Sequence, residues 1–171
     1  VSLGACADKI SVTGNLKFDF ALPEDCTTRI DLTRQGWTST RPVWIAASTH
    51  AGEESAVLQA HARVLKEFPD CLLIIAPRHP ERLREIAGLC EKSGFSFTQK
   101  TAKASPDDSM QIFILDTLGE LINYYALSRL AFVGGSLVRG GGQNMLEPAA
   151  LGIPVITGPY FFNFSLGLSC I

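Results

Sequence analysis

The sequence predicts an α/β domain: a parallel sheet with helices on both faces. Two observations carry this. Short β-branched or aliphatic runs alternate with longer amphipathic stretches, the pattern of repeated strand-helix-strand units. The loops that follow the apolar runs hold the Gly, Pro, Asp and Ser residues that end strands. Strands are expected at residues 10–13, 43–47, 72–76, 96–99, 111–115, 130–133 and 155–157. Between them, the segment 53–68 sets Val57, Leu58, His61, Val64, Leu65 and Phe68 on one helical face, with Ser48 or Thr49 upstream as a cap. Pro80 suits a first helical turn, and a helix over 81–93 would stop at Gly94. Helices at 118–127 and 144–151 complete the set, and 102–109 reads as a polar surface loop. Only residues 158–171 follow the last strand, so the covering helices that normally close such a fold are expected to be absent.

Composition narrows the function classes. At 171 residues, 46% hydrophobic and 19% charged, the chain fits one domain with a packed core and lacks the bias of a disordered chain. A formal net charge of −2 argues against a nucleic-acid binder, which needs clustered Lys and Arg. The apolar runs, such as Cys71-Leu72-Leu73-Ile74-Ile75-Ala76, are far shorter than the roughly 20 residues of a membrane-spanning helix. Five cysteines form no C-x-x-C pair and have no His at metal-ligand spacing, which suits a reduced compartment and no metal centre. The first residues show no charged-then-apolar pattern with a small-residue cleavage site, so export is not expected.

Open parallel sheets bind ligands beyond the carboxyl ends of their strands. Four loops lie there: Ser48-Thr49-His50-Ala51-Gly52-Glu53, Pro77-Arg78-His79-Pro80, Asp116-Thr117-Leu118-Gly119-Glu120, and the stretch from Gly134-Gly135-Ser136 to Gly140-Gly141-Gly142-Gln143-Asn144-Met145-Leu146-Glu147. The last runs glycines into a helix start, where backbone amides and the positive dipole end can meet a phosphate. It matches neither the dinucleotide G-x-G-x-x-G pattern nor a P-loop. Two readings stand for Glu147: a carboxylate accepting ribose hydroxyls, or an acid that complements the dipole. Arg78 likewise reads as a phosphate-binding fork or as a surface residue at a strand end. His50 and His79 suit hydrogen-bonded loop positions, and Glu53, Glu54 and Glu120 are first-turn acids that helix capping explains as well as function does. The run Tyr160-Phe161-Phe162 reads as core or as a stacking surface. No nucleophile elbow is present.

Taken together the loops resemble those of the Kdo transferases, which attach 3-deoxy-D-manno-octulosonic acid (Kdo) to the lipid A precursor of Gram-negative bacteria. The matching strings are Val12-Thr13-Gly14-Asn15-Leu16-Lys17-Phe18-Asp19, Ser48-Thr49-His50-x-Gly52-Glu53-Glu54, Pro77-Arg78-His79-Pro80-Glu81-Arg82, Asp116-Thr117-x-Gly119-Glu120-Leu121, Phe132-Val133-Gly134-Gly135-Ser136-Leu137, and Asn144-x-Leu146-Glu147 through Gly158-Pro159 to Asn163-Phe164. The resemblance implies a GT-B glycosyltransferase of two Rossmann-like halves, of which this chain is the C-terminal, donor-holding one. Residues 1–171 would then be a single nucleotide-sugar-binding domain, with 1–20 following the interdomain linker, 165–171 a truncated or atypical tail, and the N-terminal acceptor domain absent. By the same resemblance Pro77, Arg78, Leu118, Gly119, Glu120, Asn144, Met145, Leu146 and Glu147 contact CMP. Lys17 stabilises charge in the transition state, Ser48, His50, Gly134, Gly135 and Ser136 form a substrate loop, and the general base lies in the N-terminal half.

It further implies CMP-Kdo as donor, a lipid A precursor as acceptor, the protein's own N-terminal domain as partner, and no metal or other cofactor. The parent enzyme would work at the cytoplasmic face of the bacterial inner membrane, held there through its N-terminal part. The fragment alone would be soluble, inactive and a weak binder of CMP. Two alternatives remain at the level of the sequence. One is a UDP-sugar-using GT-B relative, such as a UDP-GlcNAc 2-epimerase or the lipid II glycosyltransferase. The other is a stand-alone nucleotide-binding module.

Overall fold

A computed structural model describes residue 4 and residues 6–10, 41–102 and 109–164 of the chain. Its centre is a six-stranded, all-parallel sheet ordered β3-β4-β2-β1-β5-β6, formed by β1 (Val43–Thr49), β2 (Leu72–Pro77), β3 (Phe97–Gln99), β4 (Ile112–Ile114), β5 (Leu130–Val133) and β6 (Val155–Thr157). The helices are α1 (Glu53–Glu67), α2 (Leu83–Lys92), α3 (Leu121–Leu127) and α4 (Leu146–Ala150). The fold class read from the sequence is met, and all six strand assignments from 43 onward lie within two residues of the observed ends. Of the strand expected at 10–13, Ile10 is irregular and the other positions lie outside the described residues, as do 103–108 of the polar loop.

The hydrophobic pattern dictates the layering. Strand β2, Leu-Leu-Ile-Ile-Ala-Pro, is buried at every position, because a central parallel strand has a helix layer on each face. Alternate residues of β1 then divide between two cores. Val43, Ile45 and Ala47 join Leu72, Ile74, Phe113, Tyr124 and Tyr125, beneath α3 and α4. Ala46 joins Leu73, Ile75, Ile112, Ile114 and Phe132 beneath Val57 and Leu58 of α1 and Ile86 and Cys90 of α2. Each buried Val, Leu or Ile among these contributes about 1.5–3 kcal/mol. After β1 the chain passes to the β2 side; after β4 it crosses to the opposite edge of β1 to form β5. The point where the winding reverses therefore lies between β1 and β5, whose following helices cover opposite faces.

Several local expectations need correction. Ser48 and Thr49 do not cap α1: both belong to β1, Ser48 sits at a register shift with φ +53°, and Gly52 occupies the cap position without a side-chain bond. Phe68 does not join the buried face of α1. It ends the helix through its amide on the Val64 carbonyl and stays 55% exposed. The segment expected as one helix from 81 opens with a 3-10 turn, Pro80–Arg82, and becomes α-helical at Leu83. Arg82 marks the change, gripping buried Glu54 with both terminal nitrogens (2.7 and 3.1 Å) and Glu85 as well. Helix α3 starts at Leu121, three residues later than expected, because the segment from Thr117 to Glu120 bends to form a loop wall. Helix α4 keeps five residues of the eight expected.

One buried network gives the fold a pH signature. His61 has no exposed surface; its Nδ1 accepts from the Trp44 indole N–H (3.1 Å) and its Nε2 lies 3.0 Å from the Gln111 carbonyl. Both contacts suit a neutral ring that is protonated at Nε2. Burial lowers its pKa from 6.5 to about 4, the Gln111 carbonyl opposing and Arg41 adding to the drop. The unfolded chain therefore takes up this proton first. The stabilisation is complete above pH 6.5, declines as pH falls from 6.5 to 4, and levels off below. Urea titrations across that window should show a loss of about 3 kcal/mol. The slope should flatten in His61→Gln, and an unchanged slope in that variant would assign the pH dependence to other groups.

Candidate functional site

The site is built at the carboxyl end of the sheet, around the point where the winding reverses. Its foundation is Glu53, in the first turn of α1 and without exposed surface. One carboxylate oxygen accepts from the amides of His50 and Gly135, both at 2.8 Å, and the other from Ser136 at 2.9 Å and Leu137 at 2.8 Å. Four charge-assisted bonds thus replace the water that a buried carboxylate would otherwise miss. The loop after β1 and the loop after β5 are thereby fastened to each other. Gly134 makes the approach possible: a Cβ there would lie 2.5 Å from the Ser48 carbonyl, 2.7 Å from Thr49 Cα and 2.8 Å from the Glu53 carboxylate.

This changes the role of the glycine-rich stretch. The amides of Gly135, Ser136 and Leu137, at the start of the stretch and two of them in the expected substrate loop, already hold an internal anion, while the entry to α4, where the phosphate cradle was expected, lies at its other end. Gly134 donates to Ala47, Gly142 to Gly135 and Gln143 to Gly134. The Ser136 hydroxyl donates to the Val133 carbonyl and accepts from Gly158. Gly134, Gly135 and Ser136 are buried and line neither of the cavities described next. Helix α4, at five residues, adds only a short dipole. Among the described residues, no acceptor holds the amides of Asn144 and Met145 just before it.

Two adjoining cavities of about 360 and 540 Å³ share Ser48, Arg78, Leu121 and Glu147 as lining. The first is the less polar of the two, walled by Ala76, Pro77, Leu115, Leu118 and Ile122 with Thr117 and Gly119. The second is polar, walled by Tyr125, Gly142, Gln143, Asn144 and Asn163. Their combined volume suits a small-molecule ligand. Arg78 is exposed, and its backbone amide is fixed on the Thr49 carbonyl (3.0 Å). Its guanidinium has no ion-pair partner among the described residues. Asn144 orients Glu147 by donating from Nδ2 to Oε1 (2.9 Å), while its own Oδ1 accepts the Leu146 amide (3.1 Å) and starts the helix. Burial, and secondarily the charge of Glu147, holds the Tyr125 phenol far above its usual range, so it stays protonated beside the cleft.

The other sequence candidates divide. Pro77, Leu118 and Gly119 line the apolar cavity. The Glu120 side chain turns instead to Lys100 and to the Thr117 hydroxyl, and Met145 is core, 2% exposed and packed on Val133. Leu146 lines neither cavity. His50 lines neither cavity; its Nε2 lies 3.0 Å from Gln143 Nε2 and its ring is edge-on to His79 at 5.5 Å. Phe161 joins the core with Met145, and Phe162 is 63% exposed. Lys17 lies outside the described residues. Tyr125, Gln143 and Asn163 were not legible as site residues, since no spacing rule links them to Arg78. The described residues contain no cluster of His, Cys, Asp and Glu suited to a metal, and none of their helices is long and apolar enough to cross a membrane.

A parallel sheet wound in both directions, with its cleft where the winding reverses, places the chain in the Rossmann-like α/β class. No family model matches it. The crystal structure of the C-terminal CMP-Kdo binding domain of WaaA from Acinetobacter baumannii aligns with a TM-score of 0.78 and 38% identity, over 84% of this chain and 75% of that one. In sequence the chain is 44% identical over 163 residues to the 3-deoxy-D-manno-octulosonic acid transferase of Haemophilus influenzae, and 41% identical over 167 residues to that of Bordetella pertussis. Those alignments take in 95% and 94% of this chain but 38% of each transferase, so the chain spans well under half the length of these relatives. The chain belongs to the 3-deoxy-D-manno-octulosonic acid transferase family, as its loop motifs indicated.

The Glu53 clamp predicts a large effect from a nearly isosteric change. In Glu53→Gln, whichever side the amide nitrogen takes, it faces two backbone N–H donors. Urea unfolding should register a loss of about 3 kcal/mol, and Gly134→Ala should cost at least as much. A Glu53→Gln protein of unchanged stability would show that the carboxylate does not hold the two loops.

Proposed function

We propose that this chain is the donor-binding domain of a GT-B transferase that moves Kdo from CMP-Kdo to a lipid A precursor. One observation carries the reading: Arg78, a cation on the loop after β2, and Glu147, an acid in the first turn of α4, both line the two parts of one cleft. The apolar part suits a flat base, with Pro77, Leu118 and Gly119 against it. The polar part suits ribose and phosphate. Glu147, oriented by Asn144, accepts ribose hydroxyls, and Arg78 takes the phosphate as a planar fork. That the Acinetobacter domain is a CMP-Kdo binding one supports this nucleotide over a uridine one.

Cleaving the sugar–phosphate bond builds positive charge on the sugar carbon and leaves CMP as an anion. A guanidinium already at the phosphate stabilises that leaving group more in the transition state than in the ground state, which is the part of binding that accelerates reaction. The amides of Asn144 and Met145 can add to it. Lys17 belongs to the same proposal as a further cation, as do an N-terminal half that carries the acceptor site and general base, attachment to the cytoplasmic face of the inner membrane through that half, and a reaction without metal. On this reading the chain alone binds the nucleotide without transferring sugar.

The test is a titration of the 171-residue chain with CMP and with UMP, followed by amide chemical shifts. CMP should shift the signals of Gly119, Asn144 and Glu147 and bind more tightly than UMP. Arg78→Ala should weaken CMP binding by at least about tenfold, roughly 1.4 kcal/mol, and the pair Arg78→Ala with Glu147→Ala should remove it. Preference for UMP, or CMP binding indifferent to both substitutions, would overturn the assignment.

A further inference from the structure

The wall of the apolar cavity is a short bridge of chain held at both ends by one turn. That turn, Lys100–Ala102, follows β3 at the edge of the sheet. The bridge is the loop after β4. At its start, both carboxylate oxygens of Asp116 are engaged by Thr101, one by the amide (3.1 Å) and the other by the hydroxyl. At its end, one oxygen of Glu120 accepts from Lys100 and from the Thr117 hydroxyl (2.5 Å). The Lys100–Glu120 pair is only part-exposed, 28% and 39%, and the Lys100 ammonium stands 5.6 Å over the ring of buried Tyr124, which stacks on Phe113. Thr117, Leu118 and Gly119 are thus suspended between two anchors and line the cavity, with Gly119 in a left-handed turn (φ +82°) and Leu118 77% exposed. Among the described residues no acceptor holds the backbone amides of these three positions.

A backbone strip fixed in this way presents amides in one geometry, and amides in one geometry can tell one base edge from another. A free loop would have to be ordered on binding, at a cost in conformational entropy. We propose that the Lys100–Ala102 turn is a positioning element for base selectivity: Lys100, through Glu120, and Thr101, through Asp116, hold residues 117–119 in register with the base edge. Neither Lys100 nor Thr101 lines the cleft. The inference rests on the nucleotide-binding reading and adds residues that sequence inspection had left aside.

Lys100→Met, Lys100→Arg and Thr101→Val are each titrated with CMP, UMP and ribose 5-phosphate, after urea unfolding has established that the variants are folded. Lys100→Met should weaken CMP binding by about tenfold and narrow the preference for CMP over UMP, while ribose 5-phosphate, which lacks the base, binds as it does to the unsubstituted chain. Lys100→Arg should restore CMP binding, and Thr101→Val should act as Lys100→Met does, more weakly. CMP binding unaffected by Lys100→Met, or an equal loss for CMP and ribose 5-phosphate, would overturn the proposal while leaving the donor-binding reading intact. Failure of the unsubstituted chain to bind CMP would overturn both.

Discussion

Between β1 and β5, where the winding of the sheet reverses, a carboxylate with no access to water collects four backbone amides. Glu53 is thereby an internal anion that fills the amides at the start of the glycine-rich stretch. Much of the site follows from that. The β5 loop cannot move away from the β1 loop without stranding a buried charge, a loss of several kcal/mol. The stem of the glycine-rich stretch becomes rigid scaffold, and the part that lines the cavity is its far end, at Gly142, Gln143, Asn144 and Glu147. His50, whose amide is one of the four donors, is held beside Gln143 of the polar cavity by the same group.

A second buried acid works alongside it. Glu54 carries the bidentate grip of Arg82, so the two adjacent acids that open α1 tie down different neighbours: Glu53 the β5 loop, Glu54 the turn after β2. Arg78 lies between β2 and that turn, on a backbone fixed at Thr49. Its exposed guanidinium therefore extends from an immobilised base, which suits a residue that must meet a ligand without spending much ordering entropy. The 3-10 turn after β3 and the β4 loop repeat the arrangement, with an ion pair behind the wall and the wall facing the cleft.

The fold was legible because its main signals are one-dimensional. The four central strands could be placed since they read as apolar runs, the edge strands β3 and β6 since turn residues bound them, and the long helix since Val57, Leu58 and His61 recur at helical spacing. Short-range errors arose where tertiary contacts override propensity. Phe68 has the right spacing for the buried face of α1 but falls on its C-cap, and residues 118–120, read as the start of a helix, stay in a loop because Gly119 takes a left-handed φ and Glu120 is held by Lys100 and Thr117. Glu53 was visible as a first-turn acid inside a family motif, but not as a clamp, because its three partners at 135–137 lie more than 80 residues away.

By itself the sequence determined the class of fold, the strand-end loops that face the cleft, and the family, through short motifs whose order along the chain is specific. It could also name Arg78, Asn144 and Glu147 as a set, because they stand in those motifs. Only the tertiary structure decided which amides remain open to a ligand and which are already filled, that Met145 and Ser136 are scaffold, and that Tyr125, Gln143 and Asn163 share the cleft. The physical reason is that a hydrogen bond to a backbone amide carries no residue signature. Any side chain of the right charge can supply it, and which one does depends on where the folded chain brings it.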